Sequence, residues 1–237
     1  MSNSWFQFKQ FKVNQDRTAM KVGSDSVLLG AWTPVENVKS TVDLGAGTGL
    51  LSLMMAQRCK SRVTAIESDC DAAQQASENF THSPWPHLFD SVCSNIHDLR
   101  KDYAGNFDLA IFNPPYFDGQ VSPENKSRLD ARHLHQEENS KMAWLETAFL
   151  MTKANGKASF IIPFIKMDTW LKDAELVGFK KEKLCYVKGN HNSVVKRVMI
   201  FLSKSECKCA ESSIILETVE RGVYTEEFLT LTNEFYL

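Results

Sequence analysis

The chain has no excess of charge of either sign. Its 27 Lys and Arg stand against 29 Asp and Glu, a formal net charge of −2. No global basic field therefore announces a nucleic-acid partner, although a local patch on one face would suffice for one. No apolar run is long enough to span a bilayer and no leader-like start is present, so no membrane association is expected. The six cysteines, at 59, 70, 93, 185, 207 and 209, are scattered. Only Cys207 and Cys209 are close, and no second pair completes a zinc site, so no metal is expected. This cysteine usage reads as a reduced cytoplasmic protein. Repeats and low-complexity segments are missing too. What remains is one ordinary domain of 237 residues with 43% hydrophobic content, enough for a full core.

Residues 1–40 open with an aromatic, lysine-punctuated run, WFQFKQFKVNQ, whose alternation fits a strand or hairpin. TAMKVGSDSVLLGAW follows, a Gly/Ser turn running into an apolar helical stretch. These residues read as an N-terminal extension packed on the main domain, 41–237. From residue 41 the pattern alternates. STVDLG, RVTAIE, HLFDSVCSN, FDLAIFN and KASFIIP read as strands. GLLSLMMAQRC, DCDAAQQASENF, SKMAWLETAFLMTK and KMDTWLKDAELVG read as helices, the third stopped by a C-cap signal, ANG. KKEKLCYVK and VVKRVMIFLSK are two strands with no helix between them and are expected to pair antiparallel. Strand–helix alternation predicts an α/β, mostly parallel, doubly wound sheet ending in an antiparallel strand pair. That architecture is similar to the Rossmann-like AdoMet-dependent methyltransferases.

The first chemical motif is DLGAGTGLL, which carries Asp43, Gly45, Gly47 and Gly49 between a strand and its helix. Glycines there let backbone approach a ligand at the strand's C-terminal edge. A dinucleotide site would need G-x-G-x-x-G, and its sixth position is Leu50 here, so that pattern is not met. An acid followed by G-x-G-x-G resembles the loop of the methyltransferases, whose ligand has an ammonium for an acid to meet and no pyrophosphate. Glu67 ends the next strand, where a carboxylate can accept from both ribose hydroxyls. That position is shared with NAD enzymes and does not discriminate alone.

The second motif is IFNPPYFDG, Ile111 to Gly119. Proline cannot donate to a sheet ladder, so the strand must end at Asn113. A residue before proline is pushed to an extended conformation, which fixes both Asn113 and Pro114. The result is a stiff platform with an amide, a bare carbonyl and the ring of Tyr116. An amine conjugated to a heterocycle is a poor nucleophile, because its lone pair is delocalised into the ring. The Asn113 side-chain oxygen and the Pro114 carbonyl are two acceptors for its hydrogens. Tyr116 offers a stacking face. The alternative is a Pro-Pro turn with an incidental aromatic.

Asn-Pro-Pro-Tyr after the fourth core strand resembles the signature of amino-group methyltransferases acting on adenine N6, guanine N2 and protein glutamine amide. The resemblance extends further. FKQFKVNQDRTAMKVGSDSVLLGAW, NPPYF, ARH (Ala131 to His133) and the ending YTEEFLTLTNEFYL are similar to the bacterial tRNA-valine adenine-37 N6-methyltransferases. It implies S-adenosyl-L-methionine (AdoMet) as cofactor and tRNA as substrate, with methylation just 3′ of the anticodon. It implies Asp43, Gly45 and Gly47 at the methionine end and Glu67 at the ribose. Asn95, or Asp98 close behind it, would face the cofactor's adenine. Asn113, Pro114 and Tyr116 would be catalytic, with Pro115 and Phe117 beside the target base. The Lys21–Asp25 stretch resembles the family's N-terminal cofactor-side motif. Rival readings are a methyltransferase of glutamine amide or rRNA guanine N2, and a non-catalytic AdoMet- or RNA-binding factor. Intact Asn113 and Tyr116 speak against the last.

In the polar stretch ENKSRLDARHLHQ, Arg128 and Arg132 would meet tRNA phosphates, or belong to a solvated charged loop. His133 and His135 lack partners at metal-ligand spacing. Lys180, Lys181, Lys183, Lys188, Lys196 and Arg197 fit a phosphate-tracking patch, and equally a lysine-protected sheet edge. Trp85, between two prolines, reads as a loop anchor. A monomer is expected.

Overall fold

The computed structural model describes residues 3–115 and 141–236. An N-terminal hairpin comes first, β1 (Trp5–Gln7) and β2 (Lys12–Asn14), then helix α1 (Ser24–Trp32). The alternating part runs β3 (Ser40–Leu44), α2 (Leu50–Cys59), β4 (Arg62–Glu67), α3 (Cys70–Thr81), β5 (Phe89–Cys93) and β6 (Phe107–Phe112). After residue 141 come α4 (Lys141–Met151), β7 (Thr152–Pro163), α5 (Met167–Val177), β8 (Lys180–Lys188), β9 (Val195–Ser203), β10 (Ala210–Ile215) and α6 (Glu226–Thr232).

Eight strands form one sheet in the order β10-β8-β9-β7-β6-β3-β4-β5. Strands β5, β4, β3, β6 and β7 are mutually parallel, and β9 is antiparallel to both β7 and β8. The expected mostly parallel sheet with an antiparallel β8–β9 pair is therefore present. One strand goes beyond it: β10 adds parallel to the outer side of β8. A second difference concerns the ANG segment. Helix α4 stops at Met151 and the chain enters β7 at once, so Ala154-Asn155-Gly156 lies within the strand. The pairing of β6 with β7 shifts register there, so the turn residues make an irregularity and no helix cap.

Alternate side chains of each strand feed two opposite layers, as a period of two requires. Val42, Leu44, Ala110, Phe112, Phe160 and Ile162 pack against α4 and α5. Val63, Ala65, Leu109, Ile111 and Ile161 join α1, α2 and the hairpin residues Phe8, Phe11 and Val13 on the other face. The two chain ends meet: Lys9 N–H donates to the Phe235 carbonyl, and Phe8 stacks on Tyr236 at 6.0 Å between ring centroids. Trp85 is an anchor, buried beside Phe11 with the Lys60 ammonium 4.2 Å from its ring centre.

The end of β6 and the whole of α1 are both firmly held. Phe112, the last residue of β6, stacks on Phe160 at 4.9 Å, and Phe160 meets Trp170 of α5 at 5.2 Å. This aromatic column fixes the strand end from which Asn113 projects. Helix α1 is tied at its C-terminal end, where Arg58 Nη1 donates to the Gly30 carbonyl at 2.9 Å and the Thr33 and Ser159 hydroxyls are 2.7 Å apart. At its start, Arg197 of β9 pairs with Asp25 at 2.9 Å.

The expectation of reduced cysteines fails at two positions. Cys70 at the start of α3 and Cys93 at the end of β5 form a disulfide, their Cα atoms 5.2 Å apart. The parallel register of β4 and β5 brings Cys93 beside Glu67, and Cys70 follows within one turn of chain. Nothing in their spacing signals this, because the proximity comes from the strand pairing. Among the described residues, Cys59, Cys185, Cys207 and Cys209 are free.

Candidate active site

A cleft of about 320 Å³ opens at the C-terminal ends of β3, β4 and β6, the edge where open α/β sheets hold their ligands. Its walls include Thr18 to Val22, Ser26, Gly45 to Thr48, Glu67 to Asp69, Asn113, Pro115 and Trp144.

The glycine loop makes the floor. Gly45, Gly47 and Gly49 all have positive φ, at 67°, 54° and 78°, a region where L side chains are strained. A Cβ on Gly45 would lie 2.7 Å from the Trp144 ring, and one on Gly49 2.4 Å from the Phe80 ring. A Cβ on Gly47 would meet nothing within 4 Å. The outer glycines thus admit close packing from α4 and α3, and the middle one keeps bare backbone at the cleft. Asn79 of α3 steadies the assembly. Its amide donates to the carbonyls of Thr48 (2.9 Å) and Asn14 (3.0 Å) and accepts from Asn14 N–H at 2.9 Å. One buried side chain thereby joins the loop to the N-terminal hairpin. The segment leading from that hairpin is also stitched down, with Gln15 accepting from Val22 N–H at 2.8 Å.

The two acids occupy different positions. Glu67 lines the cleft, and its Oε2 accepts from Gly47 N–H at 2.8 Å while Oε1 accepts from Asp69 N–H at 3.0 Å. The Ser68 hydroxyl also donates to Oε1 at 3.3 Å; a carboxylate has about four lone-pair directions, so acceptor capacity remains for a ligand hydroxyl. Asp43 lies fully buried beneath the loop. Its Oδ2 accepts from the backbone N–H (3.0 Å) and hydroxyl (2.7 Å) of Ser52 in α2, and its Oδ1 has no hydrogen-bond partner among the described residues. Burial pushes its pKa from 3.8 up to about 7; the Ser52 hydrogen bonds pull the other way, and the Glu67 charge adds to the rise. Ser52, one turn into the helix, is a partner that no motif advertised.

Asn95 stands apart from these groups. Its Oδ1 accepts from His97 N–H at 3.0 Å and its carbonyl from Asp98 N–H at 3.2 Å, closing a turn after β5. Neither Asn95 nor Asp98 is among the residues lining the cleft. At the end of β6, Asn113 is partly buried, Pro114 buried and Pro115 exposed. Asn113 Nδ2 donates to the Ser26 hydroxyl at 3.0 Å, and its Oδ1 is buried without a partner among the described residues. The Trp144 indole N–H is likewise buried and unpartnered among them. Trp144 escapes a sequence reading because a tryptophan at core spacing in a helix looks like packing. Tyr116, Phe117, Arg128, Arg132, His133 and His135 lie outside the described residues. Among the described residues, no group of three His, Cys, Asp or Glu is arranged to hold a metal ion, and no helix is long and apolar enough to cross a membrane.

A buried unpaired polar atom costs about 1–3 kcal/mol, so two in one cleft call for an explanation. A ligand with both donors and acceptors supplies it. The open Gly47 backbone, the Glu67 carboxylate and the buried acid below fit a cationic, hydroxylated ligand, which AdoMet is. Fold and site together define a Rossmann-like, AdoMet-dependent methyltransferase. Residues 18–132 match the model of the "Methyltransferase small domain" family. Of the solved structures, a predicted O-methyltransferase from Agrobacterium tumefaciens matches with a TM-score of 0.71 over 89% of this chain and 96% of that one, at 16% identity. The T. thermophilus 16S rRNA N2 methyltransferase, in complex with AdoMet and guanosine, matches with a TM-score of 0.58 over 86% and 52%, at 17% identity. At those identities the likeness is one of fold.

Sequence relatives define the family. A Bacteroides fragilis tRNA1(Val) (adenine(37)-N6)-methyltransferase is 39% identical over 100% of this chain and 99% of its own. Proteins of the same name from Tolumonas auensis (38%, covering 100% and 98%) and Haemophilus influenzae (37%, covering 99% and 99%) agree. The chain belongs to the tRNA1(Val) (adenine(37)-N6)-methyltransferase family.

Proposed function

We propose that this enzyme transfers a methyl group from AdoMet to N6 of adenine 37 in a valine tRNA, next to the anticodon. The observation that carries the reading is Asn113: an amide at the strand end whose oxygen is buried, beside the cofactor cleft and unpartnered among the described residues. When bound, AdoMet supplies a methyl group already activated by the sulfonium charge. The protein is left with positioning and electrostatics. Asn113 Oδ1 and the Pro114 carbonyl accept from the two amine hydrogens. This favours a pyramidal nitrogen whose lone pair points at the methyl. Glu67 holds the ribose, Gly45 and Gly47 bring backbone to the methionine end, and Asp43 supplies negative charge from beneath the loop. The Trp144 N–H is a donor for the same ligand. Tyr116 and Phe117 are the stacking surface for the base, and Pro115 lies at its entrance. No strong base is required, because an N-methylated amino group sheds its extra proton easily. Asn95 or Asp98, in the turn after β5 and outside the cleft lining, is assigned to the cofactor's adenine from the sequence alone.

The substrate form follows from the same geometry. Adenine N6 is hidden by pairing in a duplex, whereas position 37 sits in a loop and has no partner to lose. The sheet edge beyond Asn113 offers a docking rim. Ile165 is 90% exposed and Val194 77% exposed, with Phe164 beside them, and Lys188 and exposed Lys196 flank the β8–β9 turn. Arg128 and Arg132, outside the described residues, are assigned to tRNA phosphates in this reading from the sequence alone. The protein acts as a cytoplasmic monomer, residues 1–40 forming an extension on the 41–237 methyltransferase domain. The test is mass-spectrometric nucleoside analysis of tRNA from cells with and without the gene, together with methylation of purified tRNA. Unchanged N6-methyladenosine in valine tRNA, or equal methylation of free adenosine, defeats the assignment. Methylation of a glutamine amide or of rRNA guanine would install one of its rivals.

A further inference from the structure

We propose that Ser26 is a positioning residue that anchors the Asn113 amide with its oxygen turned to the substrate. This rests on the amine-methyltransferase reading of the site. A side-chain amide carries an acceptor and a donor that exchange places on rotation by half a turn, with little change in shape. Only one orientation serves the chemistry. An amine hydrogen needs the oxygen, and the rotated amide would set N–H against N–H. A serine hydroxyl can donate as well as accept, so its part is to hold the amide in place; here Asn113 Nδ2 donates to Ser26 Oγ at 3.0 Å, and Oδ1 is the end without a partner among the described residues. Ser26 and Asn113 both line the cleft, although they lie 87 residues apart in sequence.

The hydroxyl is held firmly enough for the task. Ser26 sits in the first turn of α1, next to Asp25, which pairs with Arg197 at 2.9 Å. The far end of the helix is tied by Arg58 and by the Thr33–Ser159 contact. Ser26 itself contacts no reacting atom in this scheme and acts through Asn113.

The experiment compares the parent enzyme with Ser26→Ala and Ser26→Thr. It measures kcat and KM for tRNA methylation, AdoMet affinity by calorimetry, and Tm. Ser26→Ala is expected to lower kcat about tenfold, with AdoMet affinity and Tm near parental values and KM changed less than kcat. Ser26→Thr, which restores the hydroxyl, is expected to recover most of the rate. A kcat for Ser26→Ala within twofold of the parent overturns the proposal. So does a loss that Thr does not restore, or one accompanied by an equal loss of AdoMet affinity, since either marks a general role of α1. A parent enzyme that methylates no tRNA in the same assay defeats the underlying function instead, and the two failures are thereby told apart.

Discussion

Asp43 gives the most demanding test of the site's electrostatics. Its carboxyl is fully buried, and burial, aided by the Glu67 charge, pushes its pKa up to about 7 despite two hydrogen bonds from Ser52. Near neutrality the ligand-free protein therefore holds this group partly protonated. A cation seated on the glycine loop favours the ionised form, so AdoMet binding should expel the proton. If only the ionised fraction binds well, that fraction rises from roughly 0.1 at pH 6 to roughly three quarters at pH 7.5. At pH 7.5 the ligand's own α-amino group, which titrates near 8, has lost roughly a quarter of its protons, so affinity should rise about sixfold over this window, or about 1 kcal/mol. Calorimetry in two buffers of different ionisation enthalpy reads both the affinity and the protons released. Release should be close to one proton per ligand at pH 6 and should fall to about zero by pH 7.5, where the remaining release from Asp43 is offset by uptake at the ligand's α-amino group. Asp43→Asn keeps an acceptor for Ser52 but cannot ionise, so its affinity should be weaker and flat with pH. A flat parental profile, or an Asp43→Asn profile with the parental slope, would refute the reasoning.

The same shift makes stability depend on pH with a definite sign. The folded pKa lies above the unfolded one, so between about pH 4 and pH 7 the native state binds the extra proton. Stability from this group is fully present below about pH 4 and is lost as pH rises through about 7. Three pK units correspond to a loss on the order of 4 kcal/mol. Urea titrations of the ligand-free protein should show this decline, and Asp43→Asn should remove it.

Three further outcomes are expected. Asn113→Ala should lower kcat at least a hundredfold while AdoMet affinity by calorimetry stays within about threefold of the parent, because the amide is assigned to the substrate amine; a near-normal kcat would give the platform another purpose. Gly49→Ala should destabilise the fold by about 2–4 kcal/mol in urea melts, since it combines a φ of 78° with a Cβ placed 2.4 Å from Phe80; an unchanged midpoint would mean that the loop and α3 repack freely. Binding of tRNA should weaken with salt with a slope reporting only a few phosphates, and Lys188→Ala with Lys196→Ala should lower that slope by about one or two while sparing AdoMet binding; a slope indifferent to both changes would remove the rim from the interface.

What was legible in the sequence divides along the distance over which each signal acts. The central strands could be read because they are buried on both faces and so appear as apolar runs, as Leu109 to Phe112 do. The glycine loop was legible because positive φ leaves a compositional mark, and Asn113 because two prolines end its strand. Strand β10 left no such mark. Four of its six residues are exposed, so its sequence AESSII lacks the pattern of a core strand. It forms by pairing with β8, which no window of sequence contains. The ANG segment carried a true turn signal, but the β6 pairing absorbed it as an irregularity. The acid of the glycine motif was visible at position 43, whereas its burial under Ser52 was not. Yet the groups that set chemical behaviour here are of this second kind. Ser52 and burial set the Asp43 pKa, Asn79 locks the loop to the hairpin, and Ser26 meets Asn113 across the width of the site. A motif names the reacting group; its protonation and orientation are decided by residues the fold brings from elsewhere. For this chain the motifs identify the chemistry, and the long-range contacts determine whether Asn113 presents its oxygen and Asp43 its charge at the moment a substrate arrives.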